Sequence, residues 1–183
     1  MPTLLHLCLM ITAAVPPHVA DPGNAGLVHF SSTVFTVVAP SGWVLDTESG
    51  LMQGLPAVFY PEGGRWRGPV VMYVNSGDRA IAGNGTRQQF IENEVTHFRT
   101  RHPGIKIEDA KALPVANGTP VAVKHFLGGQ NGRYEAVAYI EEEKAVNSII
   151  FSARTKAAFQ KHYAAFVSLV KSYAFITDVV LEQ

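Results

Sequence analysis

The sequence predicts an α+β fold: one antiparallel sheet of about six to seven strands covered by two main helices. Three observations carry this. Strand-like runs come in two groups, each followed by one stretch of helical spacing. The runs are joined by turn residues at hairpin distances, and they do not alternate singly with helices as parallel βαβ units require.

Taken in order, Val34 to Val38 is the first apolar run; Pro40, Ser41 and Gly42 end it, and Trp43, Val44 and Leu45 resume an extended pattern. A paired-strand entry is expected there. Ala57 to Tyr60 and Val70 to Val74 are two further runs, separated by the turn-rich stretch Pro61 to Gly68, which suggests a hairpin. Helical spacing starts after Gly85, where Thr86 and Gln89 have capping-box spacing and Ile91, Val95 and Phe98 share a face. Pro103 and Gly104 stop it. Ile105 to Leu113, Thr119 to Leu127, Arg133 to Ile140 and Ala145 to Ala153 form a four-strand meander. Thr155 opens the second helix, with Phe159, Tyr163, Phe166 and Val170 as its buried stripe, and Tyr173 to Ile176 is extended again.

The first twenty residues predict the compartment. Leu4 to Val15 is an almost unbroken apolar run, followed by Pro16, Pro17 and the small residue Ala20, the layout of a signal peptide. Spanning a bilayer as a helix takes about 20 residues, so the run is short for an anchor. No Lys or Arg precedes it, which leaves the α-amino group as its positive end. Residues 1–20 are therefore expected to be removed, and 21–183 to form a single exported domain, periplasmic or secreted, with no transmembrane span. Cys8, the one cysteine, lies in the removed segment, so the mature chain is expected to hold no thiol or disulfide. Fifteen Lys plus Arg balance fifteen Asp plus Glu, and residues 1–20 carry none of them. A neutral domain has no electrostatic footprint for nucleic acid, and no nucleic-acid partner is expected.

The order of elements, together with Phe35, Val37, Pro40, Gly42 and Trp43, resembles the PsbP-like superfamily, which includes DcrB-like proteins. The resemblance covers roughly Val34 to Phe175: a strand ending in Pro-x-Gly-Trp, a hairpin, a helix, a long meander and a closing amphipathic helix followed by a short aromatic segment. It implies an α/β/α sandwich and a family mostly of non-enzymatic assembly factors, extrinsic subunits of membrane complexes and exported proteins. It carries over no catalytic residue and no metal-binding position.

Several constellations have bland readings. Glu94, His97 and Arg101 fall at i, i+3 and i+7 and form a polar row, expected to be solvated. Gly83, Asn84, Gly85 and Thr86 lead into a helix N-terminus, but the lysine of a phosphate-binding loop is missing and the Thr86 cap accounts for the spacing. Asn84-Gly-Thr and Asn117-Gly-Thr fit a glycosylation acceptor and also a plain turn. Glu141, Glu142 and Glu143 are expected in a hairpin loop, where hydrated carboxylates gain no shifted pKa. With no serine-hydrolase elbow or zinc-protease helix either, no catalytic residue, cofactor or metal is expected.

His125 is more informative. Asn131 and Gly132, taken as a two-residue hairpin turn, place Leu127 opposite Ala136, His125 opposite Ala138 and Val123 opposite Ile140. If Ile140 pairs with Ala145, Asn147 also lies opposite Ala138. His125 and Asn147 then flank one small residue, and they either fix strand register as paired core groups or line a small ligand niche.

The leading expectation for function is a non-catalytic envelope module that binds another protein. Trp66, between Arg65 and Arg67 on a loop tip, is its candidate contact point. A small-ligand carrier using His125 and Asn147 is the alternative. An enzyme assembled from distant segments comes third.

Overall fold

In the computed structural model, residues 24–81, 85–128 and 132–178 are described. The expected export segment 1–20 with Cys8, and the expected turn residues Asn84 and Asn131, lie outside them.

The chain enters as Ala25–Phe30 (β1), whose alternation buries Gly26 and Val28. Ser31 and Ser32 turn it into Thr33–Val38 (β2), antiparallel from Phe30↔Thr33 to Ala25↔Val38. On the far edge of β2 lies Ala174–Thr177 (β10), so a three-stranded sheet forms in the order β1-β2-β10. The sequence leaves this small sheet unannounced. Its expected entry hairpin is also different: Trp43–Asp46 (β3) does not pair with β2 but starts the second sheet. The Pro40-Ser41-Gly42 turn carries the chain across. Gly42 has φ +74°, a left-handed conformation that costs a residue with a Cβ about 1–2 kcal/mol, and the Trp43 N–H donates to Pro40 O at 3.0 Å.

The second sheet has seven antiparallel strands in the order β3-β4-β5-β9-β8-β7-β6, with Val58–Pro61 (β4), Val70–Asp78 (β5), Ile105–Pro114 (β6), Pro120–Gly128 (β7), Arg133–Glu141 (β8) and Ala145–Ala153 (β9). The meander follows the sequence reading closely. Every residue of β9 is buried, because it lies at the centre between β5 and β8 with both faces covered.

Arg87–Arg101 (α1) covers one face. The Thr86 hydroxyl accepts from the Gln89 N–H at 3.1 Å, and Phe90 and Ile91 enter a cluster with Phe126, Val137, Tyr139, Val146 and Ile150. Lys156–Ser172 (α2) covers the other, capped by Thr155. Phe159, Phe166, Leu169 and Val170 face the sheet there. Each such side chain contributes about 1.5–3 kcal/mol on burial. The small sheet shares this side: Val28, Phe35 and Val37 join the α2 core, and Phe35 meets Tyr173 at 4.7 Å between ring centres.

Candidate functional site

Alternation in β7 to β9 decides which side chains face α2 and which face α1. On the α2 side, His125 is half-buried. Its Nε2 lies 3.1 Å from the Tyr163 hydroxyl, and its ring meets Phe159 edge-on at 5.4 Å. Burial lowers its pKa, against a small opposing pull from Glu108. Asn147 is fully buried. Its Nδ2 donates to Thr33 Oγ1 at 3.2 Å and to the Tyr173 hydroxyl at 2.9 Å, and that hydroxyl donates to Glu142 Oε1.

The two residues share a face, as expected, but not a niche. His125 pairs with Ala136, whose partner on β9 is Phe151; Asn147 pairs with Ile140. Four residues separate Phe151 from Asn147, about 13 Å along the strand. The cause is loop length. The β7–β8 strands close at Gly128↔Arg133, leaving four residues in the loop rather than two, and the β8–β9 register is offset by two as well. Tyr163 of α2 and Tyr173 after it supply the partners that the sequence reading sought across the strands.

The α1 side holds the more open site. Arg133, Glu135, Val137 and Tyr139 alternate onto this face of β8, and the row through Glu135 runs Phe126, Glu135, Ser152, Val71 across four strands. Glu94, expected in a solvated row, instead turns inward and accepts from the Tyr139 hydroxyl at 2.6 Å; His97 and Arg101 are exposed. Burial raises the Glu94 carboxyl, with the Tyr139 bond opposing and Glu135 adding to the rise. Glu135, 3% exposed, is likewise raised by burial, opposed by Arg133, whose Nη1 lies 3.4 Å away, and by the Ser152 hydroxyl.

Past the last turn of α1 a cavity of about 590 Å³ opens, lined by Phe98, His102, Ile105, Phe126, Arg133, Glu135 and Arg154. A second lobe of about 400 Å³ continues beside it with Arg133 and Arg154 as shared wall, bounded by Gln53, Trp66, Arg67, Tyr73 and Ser152. The two adjoining cavities, which share Arg133 and Arg154, are referred to together as the groove; aromatic rings and arginines line both.

Trp66 is therefore not a free-standing tip residue. It is half-buried, edge-on to Tyr73 at 5.8 Å, while Arg65 and Arg67 on either side are exposed. Once its amide is turned to satisfy both ends, Gln53 accepts from Trp66 Nε1 at 3.2 Å and from Arg67 Nη2 at 3.1 Å. Arg67 is left-handed at φ +64°, and its carbonyl accepts from Arg154 Nη2 at 3.2 Å. Before Gln53 in the chain, Leu51 and Met52 are 58% and 97% exposed. The sequence reading had Trp66, Arg65 and Arg67 but missed Arg133, Glu135 and Arg154. The available signal was a carboxylate at Glu135 alternating with Val137 and Tyr139 on a helix-covered face. Among the described residues, no group of three His, Cys, Asp or Glu side chains is placed to hold a metal ion, and no helix is long and apolar enough to cross a membrane.

A seven-stranded antiparallel sheet between α1 on one face and α2 with a small sheet on the other is an α+β fold of PsbP-like architecture. Comparison with solved structures agrees. The chain is similar to cyanobacterial PsbP (CyanoP) from Synechocystis, with a TM-score of 0.53 and 12% identity over 91% of this chain and 99% of that one. It is also similar to LpqN, described as involved in cell envelope biogenesis of Mycobacterium tuberculosis, with a TM-score of 0.49 and 15% identity over 89% of this chain and 90% of that one. No protein-family profile matches the chain, and no curated protein matches it in sequence.

Proposed function

We propose that this chain is an exported, non-catalytic module that binds a protein of the cell envelope through the groove on the α1 side. The lining of that groove carries the reading. Phe98, Trp66 and Tyr73 line the two adjoining cavities with Arg67, Arg133 and Arg154, and aromatic and arginine side chains in partly desolvated pockets are the residues that dominate protein–protein binding energy. Exposed Met52 and Leu51 extend the same surface with apolar area that a partner would cover. Export is supported by the apolar run Leu4 to Val15 with its small-residue exit.

Photo-crosslinking in the native host tests the groove. A crosslinker at Met52 or Arg154 is expected to trap one common protein, and one at Lys161 on the exposed side of α2 is not. Equal trapping from all three positions, or none from the groove, would remove the reading. Export is checked by fractionation and mass of the mature chain; a full-length chain in the cytoplasm would contradict it.

A further inference from the structure

The charge balance at the groove is uneven. The whole chain is neutral, yet Arg67, Arg133 and Arg154 line these cavities, Arg65 precedes Trp66 in the same loop, and among the described residues the one carboxylate lining either cavity is the buried Glu135. Among the described residues Arg65, Arg67 and Arg154 make no ion pair, and only Arg133 is engaged, with Glu135. Arg154 is held in position by its bond to the Arg67 carbonyl, which occupies one of the five N–H groups of a guanidinium and leaves the others for a ligand. Arg133 and Arg154 line both cavities, so a ligand spanning the two would lie against them.

We propose that the groove takes an extended acidic peptide segment of the partner, with an apolar or aromatic side chain in the larger lobe and a carboxylate on Arg154 and Arg133 at the junction. The proposal rests on the protein-binding reading above and adds the chemistry recognised. Phe98 and Ile105, both half-buried, suit the apolar side chain. The arginines suit a carboxylate, which planar guanidinium groups bind through two parallel hydrogen bonds. A lone inorganic anion would leave most of the two lobes empty. Electrostatic complementarity of this kind sets specificity and encounter rate and weakens with salt.

The test is selection from a random twelve-residue peptide display library on the protein from residue 21 onward, followed by titration of the recovered synthetic peptides. The expected result is peptides with Asp or Glu within a few positions of an aromatic or large aliphatic residue. Their affinity should fall about tenfold in Arg154→Gln, further in Arg154→Glu, and severalfold between low and moderate salt, with Lys161→Ala unchanged. Trp66→Ala should weaken them too, with its melting temperature measured alongside to confirm folding. Peptides that bind in a Trp66-dependent manner but lack acidic residues, or ignore Arg154→Gln, would overturn the acidic-segment proposal and leave the groove reading standing. Peptides indifferent to Trp66, Arg154 and Arg133 alike would overturn both. Full displacement by millimolar phosphate, or binding of anionic phosphatidylglycerol vesicles in place of peptides, would also overturn the proposal.

Discussion

Asn147 and Glu94 show how this sheet tolerates polar groups on both covered faces. Asn147 donates two hydrogen bonds while its Oδ1 has no partner, and an unsatisfied buried acceptor is destabilising. Asn147→Ala is therefore expected to cost only about 1–2 kcal/mol in urea unfolding, because lost bonds are offset by removal of the orphan oxygen. Glu94 gives a pH signature. Its folded pKa lies above the unfolded value of 4.5, so the stability it supports is fully present below 4.5 and lost as pH rises through the folded value. Glu94→Gln keeps an acceptor for Tyr139 but cannot ionise. The variant should match the parent in melting temperature below pH 4.5 and exceed it increasingly toward neutral pH. The lowered histidines His125 and His162 act in the opposite sense but equally in both proteins. A constant difference across pH would contradict the assignment. Of these two residues, only the face of Asn147 was legible in the sequence. Its partners come from Thr33 and Tyr173, far along the chain, and Glu94 turned inward because Tyr139 lies beneath it.

Among the elements, those with strong local signals were the legible ones. Thr86 and Thr155 mark both helix starts, and the meander strands match to within a few residues, because capping and alternation act over short distances. Strand β1 was missed since Ala25–Phe30 carries only Gly26 and Val28 on its buried face. The register of the β7–β8 hairpin was missed because a four-residue loop, with Gly128 at φ +79° and Gly132 at φ +61°, displaced the shorter turn. The error was an even number of residues, so each side chain kept its face and only the neighbours changed. The seat of α1 depends on one close approach: a Cβ added at Gly77 would lie 2.2 Å from Phe90 Cε2, a ring that itself packs on Tyr139. Gly77→Ala should push α1 outward and cost about 1–3 kcal/mol in thermal or urea unfolding, and hydrogen exchange in α1 should rise more than in α2. Equal protection in both helices would count against it.

At the scale of the molecule, the class and the two-faced covering of the sheet were legible, whereas the groove was not. It forms from residues on separated segments: the turn at Gln53, the loop around Trp66 with β5 after it, the end of α1 with Ile105, strand β7, strand β8, and β9 with Arg154 beyond. No local period brings these together. The central pairing of β5 with β9 is of the same kind, since Val70 lies beside Ala153 and Asp78 beside Ala145, 83 and 67 positions apart. The meander β6 to β9 closes through short loops, each strand beside the next in sequence. Loop-closure entropy makes the nearby pairings form first and the distant one late. A meander formed before β5 docks would stand as an open half-sheet with the mostly apolar β9 as its unpaired edge, closed only when the earlier-synthesised β5 arrives. The edge that later becomes the best-buried strand is thus the one most exposed to aggregation, and the time before β5 docks is when an escorting chaperone would matter most.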